Sequence, residues 1–212
     1  MLEFFIKGGW VMYPILACSV VALAVAVERL IYFLRIRSND RQLFEEVHRL
    51  LKHGKIDEGI TLCDRARGPI AKAMTVCLRN FHKGPVKIEK AIEHEGSEIL
   101  SDMEKYLRTL AAIAQVAPLL GLLGTVTGMV RAFRVIEDLG GKVNAVALAG
   151  GIWEALLTTV FGLVVAIPCL LVYFYFEGRV DDYEKRIHGF AHEIIDLSEE
   201  AQTNAVSPTE KD

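Results

Sequence analysis

The sequence predicts an all-α membrane protein: three transmembrane helices joined to long helical extensions on one side of the bilayer. Three windows carry the membrane part. Trp10–Val27, Thr109–Val130 and Ala155–Phe176 are long, apolar and nearly free of charge, and about 20 such residues cross a bilayer as a helix. The soluble stretches carry the rest, because their apolar residues recur at helical spacing between glycine-proline breaks. Clustering decides the class, not amount. The 212 residues are 52% hydrophobic with a mean hydropathy of +0.30, and soluble domains are also about half apolar.

In chain order, residues 1–9 form an N-terminal segment and residues 10–34 the first transmembrane helix. A cleavable signal peptide is the competing reading, since Ala22, Ala24 and Ala26 are small. Lys7 set against Glu3, and an apolar run of about 18 where about 7–15 is usual, favour a retained anchor. Residues 35–106 form a soluble helical domain. Leu43, Phe44, Val47, Leu50 and Leu51 make one face of a helix over Arg41–His53, with Asn39 and Gln42 as a capping box and Gly54 as its end. A shorter helix fits Asp57–Ala66, with Ile60 and Cys63 inward. After Gly68-Pro69 a third begins near Ile70 and uses Ala73, Met74, Cys77, Leu78 and Phe81.

No proline follows Pro85 until Pro118, and Ile88, Ile92, Ile99, Met103, Tyr106 and Leu110 keep helical spacing. One helix is therefore expected to run straight into the second span, 107–133, weakened at Gly96 by about 1 kcal/mol relative to alanine. Residues 134–146 make a short loop and 147–176 the third span. Beyond it Val180, Tyr183, Ile187, Phe190, Ile194 and Leu197 are spaced 3-4-3-4-3. This stripe, on a helix over 177–202, reads either as a short coiled-coil seam or as packing on the other soluble helices. Residues 203–212 are polar, contain Pro208 and are expected to be disordered.

The formal net charge of −3 suggests no nucleic-acid partner. Arg29, Arg35, Arg37 and Arg41 follow the first span, and Arg179, Lys185 and Arg186 follow the third. The positive-inside rule then places the soluble domain and the C-terminus in the cytoplasm, with the N-terminus and the short loop outside. That short loop is itself flanked by Arg131, Arg134 and Lys142. Cys18, Cys63, Cys77 and Cys169 lack metal-ligand spacing and read as small buried apolar residues. No Walker A loop or Gly-x-Ser-x-Gly elbow occurs, and Glu98 stands where a zinc helix begun at His94-Glu95 needs its second histidine. No catalytic residue, metal or cofactor is expected, and the chain is not read as an enzyme. Energy for any work must come from outside it.

The membrane windows hold the polar groups of interest. In the second, Gly121, Gly124 and Gly128 permit close helix approach, Pro118 should kink the helix, and Thr125 and Thr127 either bond their own backbone or line a wet path. In the third, Glu154 is a carboxylate between two uncharged runs. An ionised side chain at a membrane-helix centre costs roughly 2.5–3.5 kcal/mol and is kept where it faces protein or water, often on an ion route. At 100° per residue Glu154, Thr158 and Gly162 share a face, and Thr159 lies roughly 140° from Glu154. The plain alternative is a structural ion pair of Glu154 with Arg131 or Arg134.

Two strings, Ala117-Pro118-x-x-Gly121-Leu122-x-Gly124-Thr125 and Gly151-Ile152-x-Glu154-Ala155-Leu156-x-x-Thr159-x-x-Gly162-Leu163-x-x-Ala166-Ile167-Pro168, resemble the ExbB/TolQ members of the MotA/TolQ/ExbB proton-channel family. The resemblance covers most of the chain. It implies a homopentameric ring in a bacterial inner membrane, with the outer side periplasmic. The ring would surround the membrane helices of a dimeric, single-span ExbD/TolR-like partner, whose aspartate carries protons. Work would reach the outer membrane through a TonB- or TolA-like protein. It further implies that Thr125, Glu154 and Thr159 line the pore, while Gly121, Gly124, Gly128 and Gly162 pack helices and Pro118 and Pro168 kink them. Thr158 departs from the pattern, standing where a small residue is usual; it adds a second pore hydroxyl or bonds backwards. A flagellar-type stator of the same family and a non-conducting scaffold are the alternatives.

Overall fold

A computed structural model describes residues 8–36, 40–66, 68–138 and 145–206. Every regular element among them is a helix: α1 Met12–Arg35, α2 Asp40–Lys52, α3 Ile56–Arg65, α4 Pro69–Arg79, a 3-10 turn Phe81–Lys83, α5 Pro85–Glu104, α6 Leu107–Asp138 and α7 Ala145–Val206. Three of these helices are long and apolar enough to cross a membrane. The chain divides into two compact units. One comprises Met1–Arg29 with Tyr106–Phe176, the other Leu30–Lys105 with Glu177–Asp212.

The first unit holds the apolar part of α1, all of α6 and the N-terminal half of α7. Its large side chains mostly point outward: Leu16, Leu23, Leu119, Val126, Leu156 and Leu171 are all exposed. Where its helices approach one another many of the inward residues are small, among them Ala22, Ala117, Ala132, Ala155 and Ala166. A water-soluble domain arranges its residues the other way round. Lipid, as apolar as leucine, removes the reward for hiding large side chains and leaves close backbone packing to hold helices together.

The second unit is built as a soluble domain. Ile70, Met74, Leu78, Ile88, Ile92 and Met103 form its buried core, and α4 packs on both α3 and α5. The two Gly-Pro pairs start helices as expected: Gly68 and Gly84 have φ of 136° and 88°, and Pro69 and Pro85 open α4 and α5. Glycine tolerates that backbone and proline needs no N–H donor partner in a first turn. Burial pushes the Cys63 and Cys77 thiols up to about 12, with Asp64 adding to the effect on Cys63. Both stay neutral and behave as small apolar residues.

The stripe on the C-terminal part of α7 is settled as packing on α2. Phe190 stacks on Phe44 at 4.5 Å, Arg186 donates to buried Asp40 at 3.3 Å, and His48 approaches Glu193 at 3.4 Å. Val180, Tyr183, Ile187 and Ile194 are buried.

Three expectations change. The helix from Pro85 does not run unbroken into the second span: α5 ends at Glu104 and α6 begins at Leu107. No glycine or proline marks the break; at it, the Tyr106 ring takes the Arg29 guanidinium 4.9 Å from its centroid, a tertiary contact invisible to local pattern. Residues 134–138, expected in the loop, continue α6, whose final turns carry no breaker. Thr203 to Val206, expected to be disordered, belong to α7, since the first proline after Pro168 is Pro208. The proposed cap at Asn39, residues 1–7, the loop core 139–144 and the end of the tail lie outside the described residues.

Candidate functional site

The candidate residues gather where α6 meets α7 in the first unit. The approach is set by glycine. A Cβ on Gly121 would lie 3.0 Å from the Thr158 carbonyl and from Thr159 Cα; one on Gly128 would meet Ala155 Cβ and the Gly151 carbonyl at 3.1 Å; one on Gly162 would meet the Ala117 carbonyl at 2.6 Å. These are contacts with backbone or, at Ala155, a Cβ, and no rotamer change relieves them. Gly151 joins them, with Ala132 Cβ 2.6 Å from where its own Cβ would stand. The row Gly151, Ala155, Thr158, Gly162 is therefore the α7 side of the seam, and its 4-3-4 small-residue spacing was a signal available in the sequence.

Thr158 is the key of this seam. It is 1% exposed, and the space that a side chain at Gly124 would need is filled by its Oγ1, Cβ and Cγ2. Its hydroxyl lies 2.7 Å from the Ala155 carbonyl and 3.3 Å from that of Gly121. One O–H bonds backwards along α7 and leans across to α6, so a buried hydroxyl is satisfied without water. Thr159 is only partly buried, and its hydroxyl reaches the same Gly121 carbonyl at 3.3 Å. Of the two, Thr159 keeps surface outside the seam.

Glu154 shares Thr158's face, as its spacing requires, and that face turns toward α6. Its side chain is 17% exposed, and Arg131 Nη1 donates to its Oε1 at 2.7 Å. Arg131 rather than Arg134 supplies the partner. It lies three residues past the seam glycine Gly128, whereas Arg134 falls about 200° from the seam residue Ala132. Thr125 is not drawn into this cluster: its hydroxyl donates to Leu122's carbonyl at 2.7 Å. Thr127 likewise bonds Leu123 and Gly124 carbonyls, at 3.0 and 3.1 Å. α6 runs through Pro118 and α7 through Pro168. The glycine at position 9 also meets Glu154, which spacing along the spans could not reveal.

Comparison with known proteins fits this geometry. Residues 65–188 match the family model of the MotA/TolQ/ExbB proton channel family. An ExbB homolog named for biopolymer transport, from Methanothermobacter thermautotrophicus, is 34% identical over 85% of this chain. The match spans 64% of that relative's own length. An ExbB-like biopolymer transport protein of Synechocystis is 35% identical over 82% of this chain and 69% of its own. The biopolymer transport protein ExbB of Salmonella typhimurium is 27% identical over 95% of this chain and 88% of its own. The matched region begins in α3, takes in both membrane helices of the glycine seam with Thr125, Glu154 and Thr159, and ends in α7: this chain belongs to the MotA/TolQ/ExbB proton channel family, and within it to the ExbB type.

Proposed function

We propose that this chain is the ring subunit of an inner-membrane motor driven by the proton-motive force. In this reading several copies, five by family resemblance, surround a single-span ExbD/TolR-like partner. Protons cross between ring and partner, and the work reaches the outer membrane through a TonB- or TolA-like protein. The soluble unit and C-terminus lie in the cytoplasm and the N-terminus in the periplasm.

One observation supports the reading: a carboxylate on a helix apolar enough to cross a membrane, about one turn before Thr158 and Thr159, in a chain of a proton-channel family. The proton carrier in this reading is the partner's aspartate, and Glu154 stands apart from it, paired with Arg131. Its place in α7 suits an electrostatic role. If the span crosses from about Ala149 to Tyr175, Glu154 stands roughly 10 Å from the midplane and Thr159 about 7.5 Å deeper. Thr159, with surface left outside the seam, lines the path beside Thr125. Thr158 does not; it locks α6 to α7. The large apolar side chains exposed on all three membrane helices face lipid and neighbouring copies.

Glu154→Ala and Thr159→Ala are the direct tests, each scored by energised uptake or envelope integrity at normal expression. The expected outcome is loss of most activity in the first and a partial loss in the second. Full activity in both removes the pore role. The Arg131 pair also supports a second reading, a non-conducting scaffold in which Glu154 is structural. A partner-dependent proton leak abolished by Glu154→Gln excludes it.

A further inference from the structure

We propose that Arg131 and the Gly9 turn form a latch on Glu154, holding its carboxylate neutralised until a passing cation displaces the guanidinium. The proposal rests on the conducting reading above and adds to it a gate within the ring subunit.

Three elements converge on one oxygen. Arg131, from α6, places Nη1 2.7 Å from Glu154 Oε1. Gly9, from the turn before α1, lies against the same oxygen: a Cβ there would overlap Oε1, stand 3.1 Å from Glu154 Cδ and 3.5 Å from Arg131 Nη1. Its φ of 70° independently disfavours any side chain. The turn is fixed to the unit. Met12 N–H donates to the Gly9 carbonyl and Tyr13 N–H to that of Trp10, both at 3.3 Å, and Val11, Met12 and Ile15 are buried.

The exposures give the direction of release. Glu154's side chain is only 17% exposed, while Arg131's is 51% exposed. The carboxylate cannot leave easily, but the guanidinium can swing away. Paired, the two groups make a dipole with little net field at the pore. Separated, Glu154 presents a full negative charge that draws cations, and attraction between charges rises steeply as water is excluded. A hydrated cation or a proton-bearing group arriving at Oε1 competes with Arg131 for the same lone pairs, which makes Arg131 a positioning residue rather than an ion carrier.

The test uses the protein in vesicles with the proposed ExbD/TolR-like single-span partner, and an internal pH dye reads proton flux. Arg131→Gln and Gly9→Ala should each raise flux several-fold, the first by removing the guanidinium and the second because a Cβ there would wedge the pair apart. Arg131→Lys should stay near the unsubstituted protein. The double variant Arg131→Gln with Glu154→Gln should match Glu154→Gln alone; a merely structural Arg131 would instead add its own defect. Carbon–nitrogen distance measurement by solid-state NMR between Glu154 and Arg131 should show a short contact that Gly9→Ala abolishes. Flux that ignores Arg131→Gln and Gly9→Ala, or a short contact that survives Gly9→Ala, overturns the latch alone. Flux absent from every protein overturns the conducting reading, and the latch with it.

Discussion

The seam between α6 and α7 and the core of the soluble unit pack helices by opposite means. The core hides large side chains, such as Ile70, Met74, Ile88 and Met103, and water drives their burial at about 25 cal/mol per Å². The seam hides almost nothing large. Gly121, Gly128, Gly151 and Gly162 bring backbone against backbone, and what holds them is contact between surfaces that lipid cannot match. Removing atoms should therefore damage the core and adding atoms should damage the seam. The polar residues follow the same division. In the seam a hydroxyl such as Thr158 needs a carbonyl from the facing helix or its own turn, whereas in the soluble unit Asp40 can share its charge with the half-exposed Arg186.

The largest expected effect is Gly162→Leu. Its first added carbon meets the Ala117 carbonyl at 2.6 Å and Gly121 backbone atoms at 3.2–3.3 Å, so the helices must separate. The cost should exceed the ~1–3 kcal/mol of ordinary overpacking. Almost no monodisperse protein should be recovered after detergent extraction, and normal recovery would break the contrast between the two regions. Next is Ile88→Ala in the core, where a fully buried side chain is cut back. It should lower stability by about 2–5 kcal/mol, read by thermal unfolding of the purified protein. The smallest and sharpest is Gly124→Ala, costing about 1–3 kcal/mol by overpacking. Its clash is with Thr158, whose Cβ stands 2.5 Å from the new carbon. Thr158→Gly should restore stability in the double variant, while Thr158→Ala, which keeps that Cβ, should not. Failure of Thr158→Gly to rescue would place Gly124 against something other than Thr158.

Much of this was legible in the chain. Gly68-Pro69 and Gly84-Pro85 punctuate helices because their backbone requirements are local. The apolar windows announce membrane helices because length and charge alone set the cost of insertion. The common face of Glu154 and Thr158 follows from helical geometry. Spacing could not say that this face meets α6 rather than an open pore; burial places Thr158 in the seam and leaves Thr159 partly exposed. The break between Glu104 and Leu107 was hidden because Tyr106 answers to Arg29, distant in sequence. Gly9 was hidden for the same reason: nothing around it tells of Glu154. An ion pair of Glu154 with Arg131 or Arg134 was legible as the plain alternative, and the choice of Arg131 could have been made too, since it follows Gly128 by three residues and borders the seam.

The role proposed for Glu154 is to act on ions crossing a ring built from this chain. It is tested most directly by proton flux into vesicles holding the protein with the proposed ExbD/TolR-like single-span partner, compared with Glu154→Gln. The expected result is a flux that needs the partner and falls at least about tenfold in the variant, equivalent to ~1.4 kcal/mol or more in the barrier. Equal flux in the two proteins, with both correctly assembled, would contradict it.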